Sequence, residues 1–81
     1  MKNPIIQIRK SHDLTRKELG HLAGVPYDAV YRTETGLVQH PHKKILDALE
    51  KLGHQRGKMI KDYENFVEKL RKRAYNKAIN N

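Results

Sequence analysis

The sequence predicts an all-α fold: a bundle of four short helices followed by a long amphipathic fifth. Three observations lead there. Apolar residues recur at helical spacings along the whole chain. No long alternating run of β-branched residues and no Asn-Gly or Asp-Gly turn signals paired strands. Gly and Pro punctuate the chain at Pro4, Gly20, Gly24, Pro26, Gly36, Pro41, Gly53 and Gly57, and nothing after Gly57 breaks a helix. The 81 residues suit one domain. A domain of that size buries only about 60% of its unfolded surface, so the core is expected to be thin. Residues 1–53 are expected to form the short-helix unit and residues 54–81 a long basic helix of the same domain.

Taken in order, Ile5, Ile8 and His12 fall on one stripe of a first helix over residues 3–11. Thr15-Arg16-Lys17-Glu18 reads as a capping box, in which the Thr hydroxyl accepts from the amide three residues on and the Glu reaches back. Leu19, Leu22 and Ala23 give the second helix its apolar face, and Gly24 suits a left-handed stop. A third helix is expected over residues 27–34, with Val30 inward and Gly36 beyond its end. Pro41 is expected to open a fourth helix with Ile45, Leu46, Ala48, Leu49 and Leu52 inside and Gly53 as its stop. In the last segment Met59, Tyr63, Phe66, Leu70 and Ala74 recur at helical spacing, widened by Ile60, Val67 and Ala78. That predicts about 20 residues of helix, roughly 30 Å long, with a polar, disordered tip after Ala74.

Composition narrows the function classes. The absence of Cys excludes a disulfide framework, a thiolate metal site and a thiol nucleophile. No apolar run approaches the length of a membrane span, and the first residues do not read as a secretory signal, so a cytoplasmic protein is expected. The net charge is +8. Residues 1–53 carry 9 basic and 6 acidic side chains, and residues 54–81 carry 8 and 3, so the last third holds +5 of the excess. Such a balance favours polyanionic partners, nucleic acid first and acidic membrane second, against the plainer reading of a solubility charge. His40 and His42, with Pro41 between them and no carboxylate cluster nearby, do not make a metal pair, and His12, His21 and His54 are scattered. Gly53-His54-Gln55-Arg56-Gly57 lacks the Lys-Ser/Thr of a phosphate loop and reads as a turn. No acid pair or Ser/His/Asp set is present, so neither catalysis, nor a cofactor, nor a small-molecule substrate is expected.

Two short helices joined around Gly24 suggest a helix-turn-helix, with a small residue at Gly20 for close approach and Leu19, Ala23, Val25 and Val30 as buried knobs. The stretch from Leu14 to Gly36, L-T-R-K-E-L-G-H-L-A-G-V-P-Y-D-A-V-Y-R-T-E-T-G, resembles the Cro/CI-like (XRE class) helix-turn-helix family of phage repressors and bacterial transcriptional regulators. With its flanking helices the resemblance covers residues 4–53 and implies a lambda-repressor-like bundle. It also implies an ion pair between Arg9 and Glu34 that fixes the angle between helices. The sequence departs from the family pattern at Gly20, where Ala is usual, at Pro26, where a capping Ser or Thr is frequent, and at Thr33, where a large apolar residue is usual.

By the same resemblance, the groove-facing positions of the third helix are Tyr27, Asp28, Tyr31 and Arg32. The Arg32 fork matches the O6/N7 edge of guanine, Asp28 suits a cytosine amine, and the tyrosines suit a thymine methyl or a phosphate; packing at the helix edge is the plainer role for both. Phosphate contacts are expected from Thr15 and Arg16 at the start of the second helix. The resemblance adds the loop after the third helix, Thr35, Gln39, His40 and His42, followed by Lys43 and Lys44. Neutral histidines there imply weaker binding at pH 8 than at pH 6.

The last helix has three readings: completing the monomer core, dimerising with a second copy, or adding phosphate or membrane contacts through Arg71, Lys72, Arg73 and Lys77. Homodimerisation through Met59, Tyr63, Phe66, Val67 and Leu70 is preferred, with the Met59–Phe66 part also packed on the core. The expected function is therefore operator binding by a dimeric repressor. The alternative is an antitoxin or accessory protein whose last helix binds a partner protein. Binding of RNA or single strands by the basic tail ranks last, because the tail lacks an aromatic stacking platform.

Overall fold

A computed structural model describes residues 3–80. It contains five helices and, among the described residues, no strand: α1 (Pro4–Ser11), α2 (Arg16–Ala23), α3 (Tyr27–Thr35), α4 (Lys43–Lys51) and α5 (Arg56–Ile79). The all-α expectation holds. No helix among these residues is long and apolar enough to cross a membrane.

Local chemistry fixes most boundaries. The Asn3 side chain accepts from the Ile5 amide and caps α1, with Pro4 in the first turn where its missing N–H costs nothing. The Thr15–Glu18 capping box is complete: the Thr15 hydroxyl accepts from the Glu18 amide at 3.1 Å, and the Glu18 carboxylate accepts from the Thr15 amide at 2.9 Å. The Thr15 amide most strongly, and the Thr15 hydroxyl after it, hold the Glu18 carboxyl below its ordinary range. Gly24 ends α2 in the left-handed region at φ +70°, and Gly36 does the same for α3 at φ +78°. Pro26 precedes α3 without a side-chain cap, leaving Asp28 in the first turn to meet the dipole.

α2 packs between α3 and α4, while α1 lies against α3 and α5. Ile5, Leu19, Val30, Ile45, Leu46, Leu49, Met59 and Tyr63 form one core cluster drawn from all five helices. Each such side chain contributes about 1.5–3 kcal/mol on leaving water. At Gly20 a Cβ would stand 3.0 Å from the Val25 carbonyl oxygen and 3.6 Å from Val30, so the small residue admits the chain that enters α3.

Several expectations are corrected. His12 caps α1 on the exposed surface, where its Nε2 meets the His54 Nε2 at 2.8 Å, instead of lining the inner stripe. Leu22 and Leu52 face solvent, because α2 and α4 each turn a narrower face to the small core than their sequence periodicity offers. Pro41 does not open α4; it is buried before His42, whose ring Nδ1 accepts from the Lys44 amide and caps the helix. α5 runs 24 residues, about 36 Å, and stays helical beyond Ala74 where a disordered tip was expected. It dominates the long dimension of the molecule, 43 Å against 23 and 20 Å.

The proposed dimer residues are also partly reassigned. Met59 and Tyr63 are buried in the chain's own core, as expected of the Met59–Phe66 part, and offer nothing to a second copy. The Tyr63 hydroxyl donates to the Val38 carbonyl at 2.8 Å, tying α5 to the loop after α3. Phe66 and Leu70 pack over Gly36, where a Cβ would come within 3.2 Å of one and 2.7 Å of the other. Completion of the monomer core thus takes most of the stripe, with Phe66, Val67 and Leu70 half-buried at its outer edge.

Candidate nucleic-acid interface

α3 presents two unlike faces. Val30, Thr33 and Glu34 point inward. Tyr27, Asp28, Tyr31 and Arg32, at i, i+1, i+4 and i+5, are brought together on the outer face, and all four are exposed. Asp28 and Arg32 meet each other there, with Arg32 Nε donating to Asp28 Oδ2 at 2.9 Å. An exposed i,i+4 pair is worth only about 0.3–0.5 kcal/mol, so it holds both side chains without locking them.

The inner face is anchored by charge. Glu34 is buried, and its carboxylate accepts from Arg9 twice, Nε to Oε2 at 2.6 Å and Nη2 to Oε1 at 3.1 Å. Arg9 Nη1 also donates to the Leu14 carbonyl at 2.7 Å. The expected Arg9–Glu34 pair is therefore present and bidentate. A third member was not foreseen: Arg16 Nε donates to Glu34 Oε1 at 2.8 Å. Arg16 Nη1 lies 3.4 Å from the Tyr27 hydroxyl, and its guanidinium sits 5.4 Å over the Tyr31 ring. Tyr27 and Glu34 together raise the Arg16 pKa above its ordinary value. Arg16, expected as a phosphate ligand, is first a strut between the buried carboxylate and the two tyrosines. The Asn3 amide adds a further tie, donating to the Thr33 and Glu34 carbonyls at 3.1 and 2.9 Å and so satisfying the last turn of α3. No buried side-chain polar atom among the described residues lacks a partner.

The expected phosphate ligands divide into free and occupied groups. Thr15 spends its oxygen on the capping box. The Thr35 hydroxyl turns back and donates to the Tyr31 carbonyl at 2.8 Å, within its own helix. His42 accepts from the Lys44 amide through its ring Nδ1 and so is occupied in capping α4. Gln39, Lys43 and Lys44 are exposed and uncommitted. His40 is exposed as well, its Nδ1 at 3.7 Å from Glu64 Oε2. The start of α2 offers more than the sequence suggested: Lys10 and Lys17 join Arg9 and Arg16 around a shallow cleft of about 540 Å³ also lined by Thr15, Tyr27 and the single acid Asp13. The signal for Lys10 and Lys17 was their proximity to Thr15 in the chain; only the turn between α1 and α2 makes them neighbours of Tyr27. No group of three metal-ligating side chains occurs among the described residues.

Comparison of the chain with protein-family models, with curated proteins and with solved structures returned no match.

Proposed function

We propose that this protein is a sequence-specific DNA-binding regulator in which α2 and α3 act as a helix-turn-helix and α3 enters the major groove. The observation that carries the reading is the division of α3: a polar, hydrogen-bonding outer face of Tyr27, Asp28, Tyr31 and Arg32, backed by the buried Glu34 held by two arginines. A base-reading helix needs side chains that are free to reach and a backbone that is not. Arg32 leaves Asp28 to place its fork on a guanine edge, and Asp28 then accepts from a neighbouring cytosine amine. Lys10, Lys17, Gln39, Lys43 and Lys44 set the register by gripping phosphates on either side. The net charge of +8 supports the same partner.

The active species in this reading is a homodimer on a near-palindromic operator, with half-sites one helical turn, about 34–36 Å, apart. Occupying such a site excludes the transcription machinery, so repression is the expected mode. The test is selection of bound duplexes from a random pool at about 0.15 M salt, where non-specific phosphate binding is weakened. Enrichment of a two-fold symmetric site with one-turn spacing is the expected result. A folded protein that enriches no sequence overturns the proposal.

A further inference from the structure

Beyond Leu70, α5 leaves the body of the molecule. Every residue from Arg71 to Asn80 is exposed, yet the helix continues to Ile79. Acidic side chains end at Glu68, while Lys69, Arg71, Lys72, Arg73 and Lys77 follow without one. At 3.6 residues per turn, Lys69, Lys72, Arg73, Asn76, Lys77 and Asn80 share one face, about a quarter-turn around the helix from Leu70. Like charges at i,i+3 and i,i+4 oppose the helix that carries them. A polyanion laid along this face turns that repulsion into attraction.

The position of the arm matches its charge. Leu70 packs against Gly36, the cap of α3, so the arm emerges at the end of the proposed reading helix. At its start, Arg71 lines a cleft of about 320 Å³ together with Gln39 and His40 of the loop after α3. Glu64 and Glu68 line the same cleft, Glu64 with the His40 ring at 3.7 Å and Glu68 with the Arg71 guanidinium at 3.6 Å. The face opposite the basic stripe holds Arg71, Ala74, Tyr75 and Ala78, with Ile79 beside it; two alanines, one tyrosine and one isoleucine interrupted by an arginine make a narrower apolar face than an interfacial helix uses.

We infer that residues 69–80 form a second contact on duplex DNA, lying along the phosphate backbone beside the base pairs read by α3. The inference rests on the DNA-binding reading and extends it. The eleven helical residues from Lys69 to Ile79 span about 16 Å, or about five base-pair steps along the duplex axis. Lysine and arginine charges and asparagine amides on this stripe bind phosphate oxygens and read no bases, so the arm adds affinity without changing sequence preference.

The test compares the full chain with a variant carrying Lys69→Gln, Lys72→Gln, Arg73→Gln and Lys77→Gln together. All four residues are exposed, and unchanged thermal unfolding confirms that the variant folds. Affinities for the selected site and for a random duplex are measured between about 0.05 and 0.2 M salt. The expected result is a shallower salt dependence, by about 0.9 in log–log slope for each phosphate no longer neutralised, and an equal fold-loss of affinity on both duplexes at about 0.15 M salt. The base preference in a repeated selection stays the same, and the charge-conserving variant Lys69→Arg, Lys72→Arg and Lys77→Arg, with Arg73 retained, keeps the parent slope. An unchanged slope in a variant whose parent selects a site overturns the arm contact and leaves the α3 reading intact. A reduced slope from a parent that selects no site leaves the arm contact standing and overturns the α3 reading. Binding to phosphatidylserine vesicles that the variant loses, with duplex binding unchanged, overturns the inference in favour of a membrane surface.

Discussion

On its inner face α3 buries Val30, Thr33 and Glu34 to 2% exposure or less; on its outer face Tyr27 and Tyr31 stay 53% and 41% exposed. Nine residues thus carry two kinds of interaction. Inside, the Glu34 carboxylate and the Thr33 and Glu34 carbonyls have fixed partners from distant segments: Asn3 and Arg9 from α1 and its cap, Arg16 from α2. Outside, Arg32 and Asp28 have only each other. The difference separates the interactions that hold the helix from those to which the proposed DNA-binding reading assigns recognition. The inner interactions set the angle of the helix and are costly to remove, whereas the outer ones are cheap to exchange for a ligand.

The largest effect is expected at Glu34. Glu34→Gln keeps the shape but leaves the buried Arg9 without a counter-charge, at a cost of about 3–5 kcal/mol. In a domain of this size that lowers the melting temperature by at least about 12 °C. Urea unfolding that shows a loss below about 1 kcal/mol breaks the contrast between the faces.

Gly36 and Gly24 sharpen the picture at the two ends of the turn-and-helix unit. Both have positive φ, so Ala at either position is expected to cost about 1–2 kcal/mol for the left-handed backbone. Only at Gly36 does a Cβ also meet Leu70 and Phe66 at 2.7 and 3.2 Å; at Gly24 nothing lies within 4 Å. Gly36→Ala is therefore expected to exceed Gly24→Ala by about 1–3 kcal/mol in denaturant unfolding. Equal losses mean that α5 yields freely and does not brace the end of α3.

A smaller effect is expected at Tyr63, which joins α5 to the Val38 carbonyl. Tyr63→Phe removes this bond and costs about 1 kcal/mol. Burial pushes the Tyr63 hydroxyl from its ordinary 10.0 up to about 12. A raised acid is held neutral by the fold, so its contribution is complete below pH 10 and lost as pH rises through about 12. Tyr63→Phe should flatten stability against pH in that window, and an alkaline profile identical to that of the parent contradicts the assignment.

What was legible in the sequence was local. Thr15 and Glu18 as a capping box, and Gly24 and Gly36 as helix stops, act on residues a few positions away, and the Ile45–Leu49 run shows its inner face by its own spacing. Arg9 and Glu34 were legible only through a resemblance that fixed both positions at once. Arg16 and Asn3 were not, because an arginine at a helix start and an asparagine at a cap have local uses that satisfy any sequence reading. Their bonds to Glu34 and to the end of α3 depend on how α1, α2 and α3 cross. Leu22 and Leu52 show the reverse error: periodicity defines an apolar face, but a core this small covers only part of it. In α5 the stripe was read correctly as a stripe, and the structure assigns its first half to Val38, Gly36 and the core. The outer face of α3 is legible as a set of positions, and the i,i+4 spacing of Asp28 and Arg32 allows the pair they form.

The central claim is that the outer face of α3 reads bases while its inner face holds the helix. Arg32→Ala tests it most directly, by measuring affinity for the selected duplex and for random DNA alongside urea unfolding. The account predicts a loss of about 1–3 kcal/mol on the selected duplex, relaxed preference at one base position, little change on random DNA and stability within about 0.5 kcal/mol of the parent. Equal losses on both duplexes, or a large loss of stability with none of binding, would contradict it.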